Sequence, residues 1–382
     1  MQPEKFIKTV RDIYQSKDFI PLHEPRFSEL DKKYVAKCIE SKFVSSVGEF
    51  VNDVEDRLAD YSQTAKAIAV VNGTAALQIS LKAAGVDKGD EVLCQALTFV
   101  ATTNSIIYNN ASPVFIDVDL DTMGMSPKAL GLWLNEFGEK RDEYCFNKKT
   151  GKRIAACLPM HTFGFMCRIE EIMTICQAWG IPVIEDAAEG LGSSLYGRPA
   201  GSWGLFGALS FNGNKIITAG GGGAILSNEK GLAKWAKHLT TTAKREHPYE
   251  FFHDEVGYNY RMPNLNAALL LAQLEQIDSF IDNKKKLYKT YQQTLTNEKF
   301  TLMVPPQNQI WNYWLMSVIT HSKKERDYLL EVTNKNGVMT RPIWQLMFKL
   351  PMYAHCQRDD QVNAIHLEER IVNIPSNIGE MA

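Results

Sequence analysis

The chain has 382 residues, 45% of them hydrophobic, and its 42 basic and 44 acidic side chains leave a net charge of −2. That length accommodates one large domain and a smaller one. The charge balance offers no basic field for nucleic acid or anionic lipid, so small molecules and other subunits are the expected partners.

No apolar stretch is long enough to cross a bilayer; the most apolar helical run is 267–272. The opening segment from Met1 to Gln15 mixes charges with apolar residues, unlike a signal peptide, and a cytoplasmic protein is expected. Seven cysteines form no Cys-x-x-Cys pair and have no partner at zinc spacing. They read as buried thiols, and no metal site is expected.

Helical periodicity near 29–40 comes first in the chain. Short apolar runs then follow at 68–71, 91–94, 114–118, 154–159, 183–186, 208–211 and 223–227, flanked by Gly, Asn, Asp or Pro. They read as buried strands. Helical patterns such as 74–84 and 168–179 separate several of them, which predicts a mostly parallel α/β sheet. The last two strands lie too close for a full helix between them, so part of the sheet is expected to be mixed. Beyond about residue 245 the pattern changes to a long helix over 265–289, a strand at 314–319 and a helix at 323–334. The expected division is a large domain, 1–245, and a smaller α+β domain, 246–382, with the 29–40 helix packing on the smaller one.

The chemistry concentrates in two segments. Val183-Ile184-Glu185-Asp186 is an apolar strand ending in an acid, with Glu189 three residues on. Ser210-Phe211-Asn212-Gly213-Asn214-Lys215 places a lysine after another strand, before four glycines at 220–223. Ligands in open α/β sheets bind beyond the carboxyl ends of the strands, so the acid and lysine are aimed at one crevice. Pyridoxal 5′-phosphate (PLP) chemistry needs this pair: an amine to attach the cofactor and move protons, and an acid to keep its ring nitrogen protonated. The plainer alternatives are a capping aspartate and a solvated lysine.

Val71-Asn72-Gly73-Thr74-Ala75 reads as a strand, a glycine turn and an immediate helix, whose N–H groups with the Thr74 hydroxyl would cradle a phosphate. A simple helix cap by Thr74 explains the same residues. Ser210 supplies a second hydroxyl. The glycine run is not a dinucleotide fingerprint, because residue 225 is Ile, and no G-x-x-x-x-G-K-[ST] occurs.

Taken together, Asn72-Gly73-Thr74-Ala75-Ala76-Leu77, VIEDAAEGLG (183–192), SFNGNKIITAGGGG (210–223) and GYNYRMPNLNAALLLAQL (257–274) resemble the DegT/StrS-type sugar aminotransferases. The resemblance runs from about residue 20 to 375. It implies a fold type I PLP enzyme with a seven-stranded mixed sheet, Lys215 as the Schiff-base lysine and Asp186 beside the pyridine nitrogen. It also implies phosphate contacts from Gly73, Thr74 and Ser210, Phe99 stacking on the ring, and Asn259 reaching the phosphate of the other subunit of a homodimer. Glu189 stands where many relatives carry Gln or His near the cofactor's 3-oxygen. A dehydrating branch carries His in place of the lysine, so Lys215 favours amino transfer, with glutamate as donor and 2-oxoglutarate as its product.

The segments Phe43-Val44-Ser45-Ser46-Val47-Gly48 and Leu97-Thr98-Phe99-Val100-Ala101-Thr102 resemble the branch that aminates UDP-2-acetamido-2,6-dideoxy-hexos-4-ulose on the way to bacillosamine or legionaminic acid. By that analogy Ser45, His161 and Tyr313 would touch the sugar or nucleotide, and Arg341 the pyrophosphate or the glutamate carboxylate. His161 bonded only to its surroundings and Tyr313 as a core aromatic are the competing readings. The rival functions are a PLP-dependent sugar dehydratase, an aminotransferase for a GDP- or dTDP-linked sugar, and a non-enzymatic regulator of the same fold.

Overall fold

Strands covered on both faces are built from continuous apolar runs, and residues 66–227 contain seven of them. The computed structural model describes residues 3–295 and 300–379. In it the runs form β1 (Lys66–Val70), β2 (Glu91–Gln95), β3 (Ser112–Ile116), β4 (Arg153–Leu158), β5 (Ile184–Asp186), β6 (Phe206–Ser210) and β7 (Gly223–Ser227). Their spatial order is β3-β2-β4-β5-β6-β7-β1, with β4 tied to β5 through the Cys157–Val183 and Met160–Asp186 bridges. Pairing is parallel from β3 to β6, and β7 runs antiparallel to both its neighbours. The mixed sheet follows from the short 211–222 connection, which holds no crossover helix.

The Gly73–Ala83 helix packs on β6 and β7, while Glu49–Tyr61 and Lys230–Thr240 pack on β1. Gly73–Ala83 buries nearly every residue, Gln78 and Ser80 included, because it is packed between the sheet and the Val100–Tyr108 and Lys230–Thr240 helices. A hairpin of Gly138–Arg141 and Tyr144–Asn147 adds to the start of β4. Its short, partly exposed strands carry no clear alternation and leave no mark in the sequence pattern.

A second, antiparallel sheet joins Phe300–Leu302, Ser317–Thr320, Ile371–Asn373 and Arg341–Pro342. The strand expected at 314–319 begins only at Ser317, because residues 311–315 are used elsewhere. The helix Pro3–Tyr14 packs on Lys323–Lys335, with Phe6 edge-on to Phe300 at 5.9 Å. Glu29–Glu40 lies against Asn264–Leu274.

The long helix expected over 265–289 is two, Asn264–Leu274 and Ile277–Thr294. At the break the Gln276 amide donates to Ala272 O and to the buried Asp31 carboxylate, which also accepts from Gln273. These tertiary anchors outweigh local helical preference. All seven cysteines are buried thiols. Among the described residues no helix is long and apolar enough to cross a membrane.

Candidate active site

The parallel strands all leave the sheet at one edge, and the residues that follow them converge there. β1 leads to Gly73 and Thr74, β2 to Phe99, β4 to Phe163, β5 to Asp186 and Glu189, and β6 to Ser210 and Lys215. All of these line one cavity of about 680 Å³, closed on its far side by Trp314, Arg341 and Trp344.

Asn72 caps the Gly73–Ala83 helix: its Oδ1 accepts from Ala75 N–H at 2.8 Å and its carbonyl from Ala76 N–H at 3.1 Å. Capping is therefore not the work of Thr74. The N–H groups of Gly73 and Thr74 stand at the positive end of the helix dipole, with the Thr74 and Ser210 hydroxyls lining the same cavity. A Cβ at Gly73 would lie 2.8 Å from Ser210 Cβ, and one at Gly223 would lie 2.4 Å from the Asn72 carbonyl carbon. Glycine at both positions lets three chain segments meet around this anion cradle.

Asp186 is fully enclosed. Its Oδ2 accepts from Thr102 Oγ1 at 2.6 Å and its Oδ1 from Ala188 N–H at 3.2 Å. Thr102 shares a further hydrogen bond with Thr98 at 2.6 Å. Burial pushes the Asp186 carboxyl above its ordinary range, against the pull of Thr102, Ala188 and Lys215. A protonated ring nitrogen would offset that penalty.

Lys215 Nζ lies 3.1 Å from Glu189 Oε1 and 4.5 Å from the centre of the Trp314 ring. Trp314 is itself fixed by its Nε1–H, which donates to Asn214 O at 2.6 Å. Glu189 Oε2 accepts from Phe163 N–H at 2.8 Å. Burial also raises the Glu189 carboxyl, and Lys215 opposes the rise. Phe163 adopts a left-handed backbone, φ 55°, a conformation costly for a bulky residue and tolerated where surroundings over-determine it. An anion cradle, a buried acid, an amine and the half-exposed Phe99 ring (49% exposed) together fit PLP.

Of the residues named from the sequence, the structure brings Gly73, Thr74, Phe99, Asp186, Glu189, Ser210, Lys215 and Arg341 to this cavity. Four others do not line it. His161 is completely buried: Nε2 bonds Glu185 Oε2 at 2.9 Å, and Nδ1 accepts from Cys167 N–H at 3.3 Å. Its expected sugar contact is corrected, because it faces away from the cavity. Tyr313, at φ 55°, packs against Trp311 and Tyr288, ring centres 4.7 and 5.4 Å away. Ser45 is exposed, and its carbonyl accepts from Asn264 N–H at 2.5 Å. Neither lies on this chain's cavity. Asn259 is exposed and held by Arg261, whose Nε and Nη2 donate to its Oδ1 at 3.2 and 3.0 Å.

Sequence reasoning missed Trp314, Trp344 and Phe163. Tyr313 and Trp314 are adjacent, and the left-handed backbone at Tyr313 turns its ring into the Trp311–Tyr288 cluster while Trp314 lines the cavity. Trp344 packs on Phe163 and Phe99, ring centres 4.9 and 6.4 Å apart.

Comparison with known proteins agrees with this geometry. The DegT/DnrJ/EryC1/StrS aminotransferase family matches residues 25–379. The GDP-perosamine synthase of Escherichia coli O157:H7 is 32% identical over 358 residues, covering 94% of this chain and 93% of that protein. Among solved structures, PseC of Helicobacter pylori, an aminotransferase involved in pseudoaminic acid biosynthesis, superposes with a TM-score of 0.85 at 20% identity. That alignment covers 94% of this chain and 93% of PseC. DesI, solved in the presence of its TDP-sugar product, gives 0.83 at 24% identity, covering 94% and 88% of the two chains. At these identities the two structures speak for the fold alone.

Proposed function

The chain belongs to the DegT/DnrJ/EryC1/StrS aminotransferase family and is a PLP-dependent sugar aminotransferase, and we propose that it moves the amino group of glutamate onto the C4 ketone of a nucleotide-linked 4-keto-6-deoxy sugar. The observation that carries this reading is the convergence of Lys215, Asp186 and the Gly73–Thr74–Ser210 cradle on one cavity.

PLP, when bound, supplies an electron sink that lets a proton leave the carbon bearing the amine. Asp186 would hold the ring nitrogen, and Gly73, Thr74 and Ser210 the phosphate. Lys215 would hold the cofactor and, as a free amine, would move the proton that sets the new amine's stereochemistry. Arg341 offers a planar fork to a carboxylate or pyrophosphate. Asn259, outward-facing on this chain, would reach the partner's phosphate in a homodimer with shared sites.

For the nucleotide, the 43–48 segment supports UDP-2-acetamido-2,6-dideoxy-hexos-4-ulose as acceptor. The second reading is a GDP-linked keto-sugar, favoured by the name of the 32% identical relative. The test supplies glutamate and UDP-, GDP- and dTDP-linked 4-keto-6-deoxy sugars in turn, reading the product by mass spectrometry. Amination of the UDP sugar alone sustains the first reading, and amination of the GDP sugar alone replaces it with the second. Loss of water without gain of an amine would mean dehydration instead.

A further inference from the structure

Lys215 must be an unprotonated amine at two points of the reaction proposed above: when it attaches the cofactor, and when it acts as a base. Within hydrogen-bond reach of its Nζ is one carboxylate oxygen, Glu189 Oε1 at 3.1 Å. Asp186 is differently placed, with both of its oxygens already accepting, from Thr102 and Ala188.

Glu189 is aimed at the amine from behind. Its Oε2 is fixed by Phe163 N–H at 2.8 Å, and its own carbonyl accepts from Asn312 Nδ2 at 2.7 Å. Oε1 remains for the lysine. The carboxylate is 2% exposed and the lysine 12%, so water competes little for the proton between them.

We infer that Glu189 is the proton partner of Lys215, taking the third proton of the ammonium onto Oε1 so that the amine is neutral when it attaches the cofactor and when it acts as a base. One N–H bond breaks and one O–H bond forms; nothing is oxidised or reduced. The nitrogen lone pair so freed would make the bond to the cofactor's carbonyl carbon, whose oxygen leaves as water, or would draw the proton from the substrate carbon. The inference rests on the aminotransferase reading.

The physical ground is that burial penalises both members of an ion pair, which brings the neutral pair close to it in free energy. The neighbouring Asp186 carboxylate adds to the cost of charge on Glu189. Other groups around the pair are His23, whose ring centre lies 6.4 Å from that of Trp314, and Lys284, which acts on His23. His161 acts on Asp186, and Arg341 stands across the cavity. Two coupled groups holding one proton do so over a wide pH range, and the titration belongs to the pair. Across that range the fraction of neutral amine is set within the pair and is independent of pH.

The test compares cofactor-free wild type with Glu189→Gln, whose amide keeps an acceptor for Phe163 N–H but cannot take the proton. PLP is added at a series of pH values, and its attachment to Lys215 is followed by visible absorbance. Using the ratio of the two rates cancels the titration of PLP itself. Wild type should lead most at low pH, with the ratio falling about tenfold per pH unit until the lone lysine loses its proton. A ratio that stays constant with pH overturns the inference, since a merely structural Glu189 would change rates without changing the profile. Glu189→Asp retains a carboxylate, and its rate relative to wild type should be lower but independent of pH. A tenfold-per-unit slope in that variant also overturns it, including where the glutamine variant fails to fold. A wild-type chain that takes up no PLP removes the aminotransferase reading itself.

Discussion

β5 carries two buried carboxylates on successive residues, and a strand sends them to opposite faces. On the face away from the cavity, Glu185 meets four donors: His161 Nε2 at 2.9 Å and the N–H groups of Gly201, Trp203 and Gly204 at 2.9, 2.6 and 2.8 Å. That fills the acceptor capacity of a carboxylate. Asp186 has two donors and a cavity in front of it. The saturated acid is an anchor for the 201–204 turn, and the unsaturated one has room for a cationic ligand. Neighbouring acids of equal burial thus differ in role through what remains unpaired around them.

The largest effect should come from the cavity side. Lys215→Ala is expected to lower amine transfer by more than about 10³-fold, with loss of the visible band. Retained turnover would break the assignment. Asp186→Asn should cut kcat on the order of 10²–10³-fold while leaving stability near wild type, because it removes charge opposite the cofactor. Glu185→Gln should do the reverse, lowering the unfolding free energy by about 2–4 kcal/mol while activity per folded molecule changes less than about threefold. Denaturant titration beside kinetics separates the pair, and equal profiles would erase the distinction.

The same contrast extends to cations. Lys215 has a carboxylate beside it, whereas buried Lys284 donates to the Ser376 carbonyl. Burial pulls the Lys284 amine down to about 7. Between that value and the ordinary lysine range the unfolded chain binds the proton and the folded chain does not, so stability rises with pH across this window and is flat below it. The rise should reach a few kcal/mol, at about 1.4 kcal/mol for each pH step of one across the window, and should vanish in Lys284→Met. Denaturant midpoints at several pH values measure it. The smallest effect is expected for Trp314→Phe, which keeps a ring under Lys215 and loses the bond to Asn214 O. A drop in kcat/KM of about fivefold, near 1 kcal/mol, would match one hydrogen bond.

All seven sheet strands were legible because each is a short apolar run between turn residues, and the reversed β7 was legible from the length of 211–222. The acid–lysine pair was visible as two strand ends. What escaped depended on tertiary contacts or on single-residue phase. Nothing local distinguishes Tyr313 from Trp314, yet one joins an aromatic cluster and the other faces the amine. His161 has the chemistry of a pocket residue, but Glu185, distant in sequence, fills its reach. The Gln276 break depends on Asp31, 245 positions earlier in the chain. The turn at Phe163 pairs a bulky residue with a backbone more natural to glycine, so local rules point away from it.

The antiparallel course of β7 has a mechanical consequence. Because the chain leaves β6 and re-enters β7 at the same edge, the span carrying Lys215 is a closed noose, cinched at its base by Phe211 N–H to Gly222 O at 2.9 Å. A parallel successor strand would have carried the chain away to the opposite edge. Here the lysine is leashed at both ends, so in the proposed reaction its stroke would be the swing of four methylenes rather than a movement of backbone.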